Sequence, residues 1–431
     1  MKIAFYTLGC KVNQYETDLM TLEFKKAGFD IVDFSDKADI YVVNSCSVTN
    51  LSTRKTRQQL SKAKRQGGIV VLVGCYAEEV KQDTRLSNVD LVLGNEEKKD
   101  IVNYVKDYLN NYEKEKSNVQ YKIADISKVK RYVQKDILDK GINIRESVKI
   151  EDGCNNFCTY CIIPYLRGRV RSRNIDDIEK EVKELVKNGT YEIVLVGIEI
   201  ASYGKDLDNK LNLVDVIEKI SKIDGLKRIR LSSIEPRILT DENIIRMSKI
   251  KKLCPHFHIS VQSLNNNVLK NMNRKYTKEF LLDRINTLRK YFDDPAITCD
   301  IIVGFPKESD EDFLETLNTA KQIGFYEIHV FRYSKRKYTL AKDFDGQIDG
   351  NIKNERSRKL LALANDLKMN YMKKYLGKKV DVLFELYKDG YLYGYTSNYI
   401  KVKVKGDKIL WGLIQEVELD SIEEELILGS I

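Results

Sequence analysis

The chain has 431 residues, of which 42% are hydrophobic and 32% charged, with a net charge of +9 and eight cysteines. That composition excludes a disordered or fibrous chain, and the length suits two or three domains. No apolar run approaches the ~18 residues of a membrane-spanning helix, and no basic start leads into an apolar leader, so a cytoplasmic protein with no membrane partner is expected. In a reducing cytosol, clustered cysteines point to metal or redox chemistry rather than to cross-links. The positive charge admits a polyanionic partner without requiring one, since solubility alone accounts for it.

Residues 1–112 alternate short apolar strands with amphipathic helical stretches. KIAFYTLGC reads as strand, VNQYETDLMTLEFKKAGF has helical spacing, and DIYVVNSC is strand again. A second helical stretch, SVTNLSTRKTRQQLSKAKRQGG, precedes the strands IVVLVGC and VDLVLG. The alternation predicts an α/β domain with an open parallel sheet covered on both faces. Cys10, Cys46 and Cys75 each close a strand at its carboxyl end, the edge where open α/β sheets bind ligands. Packing as a small hydrophobe would explain any one of them. Three at one rim favour a shared ligand, such as an iron–sulfur cluster held by three thiolates with one iron open.

Residues 113–140 are polar, charged and weakly patterned, and read as a linker. Beyond them SVKIEDGC, YEIVLVGIEI, KRIRLSSIEP, HFHISVQS, AITCDIIVGFP and EIHVFRYS are strand candidates separated by helical patterns. Six β/α units predict a parallel barrel or partial barrel with its chemistry on loops at the strands' carboxyl ends. The segment GCNNFCTYC lies just after the first of these strands and places Cys154, Cys158 and Cys161 within eight positions. Structural zinc is four-coordinate, and no fourth ligand is near in sequence, since His256, His258 and His329 are all distant. A zinc-stabilised, non-catalytic RNA-binding protein therefore needs a ligand brought in by folding. A [4Fe–4S] cluster on three thiolates needs none and keeps one iron free for a small molecule.

Arg167, Arg169, Arg171 and Arg173 alternate, so an extended segment would put them on one face, where they could meet phosphates. RYSKRKYT mixes basic and aromatic side chains suited to phosphate contact and base stacking. Lys401, Lys403 and Lys405 alternate with Val402 and Val404, the pattern of a half-buried strand in a small β domain whose overall composition is acidic. Cys254 and Cys299 read as packing residues, Trp411 as part of the β domain's core, and RKLLALANDLKMNYMKKYLG as a connecting helix.

GCNNFCTYCIIP resembles the C-x3-C-x2-C motif of radical S-adenosylmethionine enzymes. TLGCKVNQYETD, VVNSCSVT, VLVGCYAE, YLRGRVRSR, RLSSIEP, NRKYT and DIIVGFP are similar to the methylthiotransferase family from end to end. The resemblance implies an N-terminal methylthiotransferase domain (1–112), a linker (113–140), a radical core built as a partial (β/α)6 barrel (141–370), and a small C-terminal β-barrel of the TRAM type (371–431) that binds RNA. It implies an auxiliary [4Fe–4S] cluster on Cys10, Cys46 and Cys75, and a second on Cys154, Cys158 and Cys161 whose open iron chelates S-adenosylmethionine. One S-adenosylmethionine would serve as methyl donor and another as radical source, with no catalytic residue beyond the cluster ligands. GCKVNQYET and HVFRYSKRK resemble the branch acting on carbon 2 of N6-threonylcarbamoyladenosine beside the anticodon of tRNA, with the isopentenyladenosine branch as the alternative. The implied partners are the tRNA anticodon stem-loop and an electron donor such as a flavodoxin or ferredoxin; no DNA is expected.

Three positions depart from the family pattern: Glu199 stands where His is usual, Leu264 lies where a Gly-containing turn is usual, and Tyr338 lies in a stretch lacking the usual Gly and Pro. These bear on substrate and cofactor contacts rather than on the reaction. Glu199 ends the second barrel strand, where radical enzymes place a contact to the cofactor's amino group. The chain has no P-loop, no H-E-x-x-H and no nucleophile elbow.

Overall fold

The computed structural model describes residues 1–81, 86–111, 118–133 and 143–431. The first unit runs β1 (Lys2–Thr7), α1 (Lys11–Lys26), β2 (Asp30–Val32), β3 (Ile40–Ser45), α2 (Asn50–Arg65), β4 (Ile69–Gly74), α3 (Cys75–Glu79), β5 (Leu91–Leu93), α4 (Ile101–Asn110) and β6 (Gln120–Lys122). Its strands are parallel in the order β2-β1-β3-β4-β5-β6. β3 is buried along its whole length and β4 nearly so, because separate apolar clusters cover both faces of the sheet. Unbroken runs such as IVVLV are the sequence mark of such central parallel strands.

Two strands carry no sequence signal. β2 is three residues long, and β6 lies inside the stretch expected to be a linker, where Gln120–Lys122 pair with Leu91–Leu93. Neither segment has length enough for a period. Each takes strand geometry from the free sheet edge beside it.

The second unit begins with β7 (Arg145–Lys149), a two-stranded ribbon of β8 (Glu151–Asp152) and β9 (Arg171–Ser172), and α5 (Ile163–Arg167) between them. It continues through α6 (Ile175–Lys187), β10 (Glu192–Val196), α7 (Leu213–Ser221), β11 (Arg228–Leu231), α8 (Asp241–Ser248), β12 (His256–Gln262), α9 (Asn266–Asn271), α10 (Lys278–Tyr291), β13 (Ala296–Val303), α11 (Asp310–Ile323) and β14 (Glu327–Arg332). β7, β10 and β11 form one parallel sheet and β12, β13 and β14 another, joined by bridges Ile229↔Leu253 and Ile234↔Ile259. The six expected strands thus make one open, partial barrel. Asn or Ser/Thr side chains cap its longer helices, as at Asn174, Thr277 and Ser309.

Strand alternation decides what fills the barrel. Val148, Ile193, Leu195, Ile229 and Cys299 pack in the core that includes the helices. The residues between them, including Arg145, Glu192, Val194, Val196 and Arg230, face the lumen. α1 closes the barrel's open flank, with Val12 packed on Val194 and Val196.

The helix expected as a connector is α12 (Gly350–Lys373), and it crosses the expected boundary at residue 370. Leu360 and Ala364 pack in the barrel core, whereas Tyr371 and Met372 pack in that of the C-terminal unit. The latter is a closed barrel of β15 (Lys379–Lys388), β16 (Tyr391–Thr396), β17 (Lys401–Lys405), β19 (Leu426–Ser430) and β18 (Ile414–Glu423), in that spatial order. Val402 and Val404 are buried while Lys401 and Lys405 are exposed, as their alternation predicts. Trp411 differs from expectation: it follows a short turn outside the strands, is 41% exposed, and is fixed by its indole N–H donating to the Glu385 carbonyl at 3.0 Å. Cys254 and Cys299 are both buried. Among the described residues no helix is long and apolar enough to cross a membrane.

Candidate active site between two cysteine trios

Cys10 is the residue before α1, Cys46 follows β3, and Cys75 opens α3, so all three sit on one rim of the first sheet. Two glycines let the loops approach. A Cβ on Gly9, at φ +117°, would lie 3.0 Å from Cys46 Cβ; one on Gly74, at φ +89°, would lie 2.5 Å from Asn44 Oδ1. Both positions are closed to other residues without rearrangement. Asn13 ties the first loop to the second, its amide donating to the Leu8 and Ser45 carbonyls at 2.7 and 2.9 Å. Ser45 ties the second to the third by accepting from the Tyr76 N–H at 3.1 Å.

Cys154, Cys158 and Cys161 follow β8 on the loop leading to α5. Cys154 Sγ accepts from the Asn156 N–H at 3.4 Å, and Cys158 Sγ from Arg274 Nη1 at 3.4 Å. Burial pushes the Cys161 thiol up to about 12, Cys75 up to about 11, and raises Cys46 and Cys154 as well. In every case a neighbouring thiol of the same trio adds to the rise. Among the described residues no three Cys, His, Asp or Glu side chains close round a single point. Each trio is a set of sulfurs on converging loops, with N–H donors already aimed at Cys75, Cys154 and Cys158. That donor set fits a cluster bound through three thiolates.

Arg167, which ends α5 and is fully buried, joins the first trio to the segment that follows Cys161. Its Nε donates to Cys75 Sγ at 3.4 Å, Nη1 to Glu16 at 2.6 Å, and Nη2 to Asn13 Oδ1 at 2.7 Å. Glu16 also accepts from Lys98 at 2.6 Å and Lys149 at 2.8 Å, and Lys149 bonds Asp152 at 2.7 Å. Burial alone would raise the Glu16 carboxyl; Arg167, Lys149 and Lys98 outweigh it and hold that group well below the usual range.

These contacts correct the reading of the alternating arginines. α5 and Gly168 at φ +74° break the extended run, so Arg167, Arg171 and Arg173 turn inward and are buried. Arg173 pairs with Glu181, and Arg171 lies 3.6 Å from Asp152. Only Arg169 stays exposed, over the Phe157 ring at 4.3 Å. Arg336 of RYSKRKYT is likewise buried, bonding Asn50, Ser47 and Glu79 of the first unit at 2.7, 2.9 and 2.7 Å. No period in the sequence marks Arg167 or Arg336 as a link between units.

Glu199 is buried beside the second trio. Its N–H donates to Glu151 at 2.8 Å while its Oε1 has no partner. Burial, then Glu235, pushes its carboxyl up to about 7. Leu264 packs in the barrel core, and Tyr338 holds φ +67°, the conformation that a glycine there would take freely.

Residues 148–320 match the radical SAM superfamily, and residues 2–94 match a family described as uncharacterized protein family UPF0004. The chain is 40% identical to the threonylcarbamoyladenosine tRNA methylthiotransferase MtaB of Bacillus subtilis, over 97% of its own length and 93% of that protein. The chain belongs to the radical SAM tRNA methylthiotransferases. It is also 36% identical to the tRNA-2-methylthio-N(6)-dimethylallyladenosine synthase of a Thermoanaerobacter strain, over 88% of this chain and 81% of that one. In fold it is similar to the radical S-adenosylmethionine methyltransferase TsrM from Kitasatospora setae, with a TM-score of 0.58 at 11% identity, covering 79% and 74% of the two chains. Membership of the superfamily brings S-adenosylmethionine and a [4Fe–4S] cluster as cofactors.

Proposed function

We propose that the protein methylthiolates carbon 2 of N6-threonylcarbamoyladenosine beside the anticodon of tRNA, in the cytoplasm. The near full-length similarity to the Bacillus subtilis enzyme supports that substrate over dimethylallyladenosine, whose relatives align over less of the chain. In this reading Cys154, Cys158 and Cys161 hold the cluster that binds S-adenosylmethionine. Cys10, Cys46 and Cys75 hold a second [4Fe–4S] cluster. The observation that carries the two-site reading is Arg167, placed by the segment after Cys161 against the sulfur of Cys75.

When bound, these groups supply the sulfur, the methyl group and the one-electron chemistry. The chain's own residues orient and insulate them. Arg167 and Arg274 donate to Cys75 and Cys158 and so stabilise negative charge on sulfur. Glu199 offers its unpartnered Oε1 to the ammonium of S-adenosylmethionine. Arg336 fixes the loops after Cys46 and Cys75 against the barrel.

The RNA is met beside the second trio. Phe157 and Tyr165 lie 5.7 Å apart and Tyr165 and Tyr338 6.1 Å, with Arg169 and Lys337 over the outer rings. Tyr165 and Tyr338 are exposed, which suits them to stack unpaired bases of the anticodon loop. The C-terminal barrel serves as a TRAM domain, and a flavodoxin or ferredoxin supplies electrons.

The test is mass spectrometry of tRNA nucleosides from cells with and without the gene. Loss of the methylthio form with accumulation of threonylcarbamoyladenosine is expected. Loss of the isopentenyl counterpart instead would move the protein to the neighbouring substrate, and no change in either would refute both.

A further inference from the structure

The barrel floor carries charge that the cysteine chemistry does not use. Lumen-facing Arg145, Glu192 and Arg228 open β7, β10 and β11, at the strand ends opposite the loop of Cys154, Cys158 and Cys161, and Arg230 lies two residues further along β11. Arg230 pairs with Glu192 at 2.6 Å and Arg145 with Glu385 at 3.1 Å. The first turn of α1 adds Lys11, next to Cys10, while Val12 anchors that turn on the lumen wall. The Lys11 side chain keeps exposed surface, although crowding by the floor, then Arg145 and Arg230, pull its ammonium down to about 8, and it makes no ion pair or side-chain hydrogen bond with any described residue. Its Nζ stands 6.0 Å from the centre of the Tyr399 ring.

Tyr399 is the hub of the floor. Arg230 and Arg145 lie 4.5 and 5.6 Å from its ring, Tyr395 stacks on it at 4.7 Å, and the His256 ring lies at 4.8 Å. It holds φ +72°, a costly conformation for a bulky residue that persists only where its surroundings enforce it. Three buried polar atoms around it have no partner: Arg145 Nη1, Glu385 Oε1 and His256 Nδ1. Buried polar atoms are seldom left unpaired, and four cations here face only two carboxylates. That imbalance and those unpaired atoms suit an anion carrying a further hydrogen-bonding group.

We propose that this floor is a subsite for the amino-acid end of the substrate, with Lys11 and Arg145 receiving its carboxylate and Glu385 its hydroxyl. The proposal rests on the threonylcarbamoyl reading above. A threonyl group supplies both functions. Carbon 2 and the N6 substituent flank the same edge of adenine. A substituent reaching Lys11 therefore keeps the reacting edge toward Cys10, the residue before it. An isopentenyl group would leave the same atoms unpaired, and sites built for hydrogen bonds reject such analogues strongly.

The test is equilibrium binding of synthetic anticodon stem-loops to full-length, anaerobically purified protein, with iron content matched between variants. One loop carries threonylcarbamoyladenosine and the other its neutral carboxamide. The wild type is expected to prefer the acid by about tenfold, the scale of one charge-assisted hydrogen bond. Lys11→Gln erases that preference without weakening the neutral loop, and Lys11→Arg retains it. Equal weakening of both loops by Lys11→Gln, or a wild type indifferent to the charge, overturns the subsite alone. Failure of the wild type to bind either loop overturns the subsite and the threonylcarbamoyl reading together.

Discussion

Glu16→Gln removes the carboxylate on which three buried cations converge. Lys98, Lys149, Arg167 and Glu16 all have side chains no more than 8% exposed. After the change Lys98 keeps only the Asn95 side chain, at 2.7 Å, and Arg167 keeps Asp152 no closer than 3.5 Å. Leaving a buried charge uncompensated costs about 3–5 kcal/mol. At about 2–4 °C per kcal/mol for a unit of this size, the melting temperature should fall by about 6–20 °C. Anaerobic thermal melts measure it, and Lys98→Met supplies the second arm. Burial and Arg167 already pull the Lys98 ammonium down to about 8, so it is the cation most easily spared. Hence Lys98→Met should recover stability in the Glu16→Gln background. A fall below about 2 °C, or a double variant that is merely additive, would refute the reasoning. The acid limb gives the sign independently. Because the Glu16 carboxyl is depressed, its contribution is complete above the ordinary carboxylate value of about 4.3 and is lost as pH falls through the folded value. The variant's melting temperature should therefore fall less steeply on acidification than the wild type's.

Arg336→Ala strips partners from Ser47, Asn50 and Glu79; hydrogen exchange should quicken at residues 47–53 and 76–79 while the C-terminal barrel is unchanged, and unaltered protection there would contradict the clamp. Cys75→Ala and Cys158→Ala should each lower iron and acid-labile sulfide to what the other trio holds; full retention in the Cys75 variant would remove the second cluster. Burial pushes the Glu385 carboxyl up to about 7, so its neutral form is favoured in the fold and stability falls as pH rises from the ordinary carboxylate range toward 7. Glu385→Gln should flatten that part of the melting profile, and an unchanged slope would count against it.

The sequence located Cys10, Cys46 and Cys75 at strand ends because strand–helix alternation in residues 1–112 is strong enough to fix where strands end. It could not show what draws their loops together. Asn13, Ser45 and the bare Cα atoms of Gly9 and Gly74 act between loops far apart along the chain, with no period to betray them. The arginine repeat misled for a related reason. Alternation means one face only while the chain stays extended, and a five-residue helix beginning beside Pro164 ends that extension. β2 and β6 were invisible because DIV and QYK are short and mix polar with apolar side chains, without the apolar run that marks the equally short β5, and Trp411 misled because a large ring's burial depends on which turn carries it. The three histidines looked scattered in sequence, yet His256 and His258 both reach Thr298 on β13, and the rings of His258 and His329 lie 5.3 Å apart.

The placement of Arg167 bears on how the two trios can be treated. Its guanidinium comes from the segment that follows Cys161, but its partners Glu16, Asn13 and Cys75 belong to the first sheet's unit. Lys149 and Asp152, also from the barrel, complete the same buried network. Separated from the barrel, the first unit would leave Glu16 with Lys98 alone and Cys75 without its N–H donor. The donor to that sulfur therefore comes from the barrel unit, so a change at α5 is expected to be felt at Cys75. The two units thus share one buried ion network beside Cys75, because the Glu16 carboxylate is paired both from its own unit, by Lys98, and from the barrel, by Lys149 and Arg167.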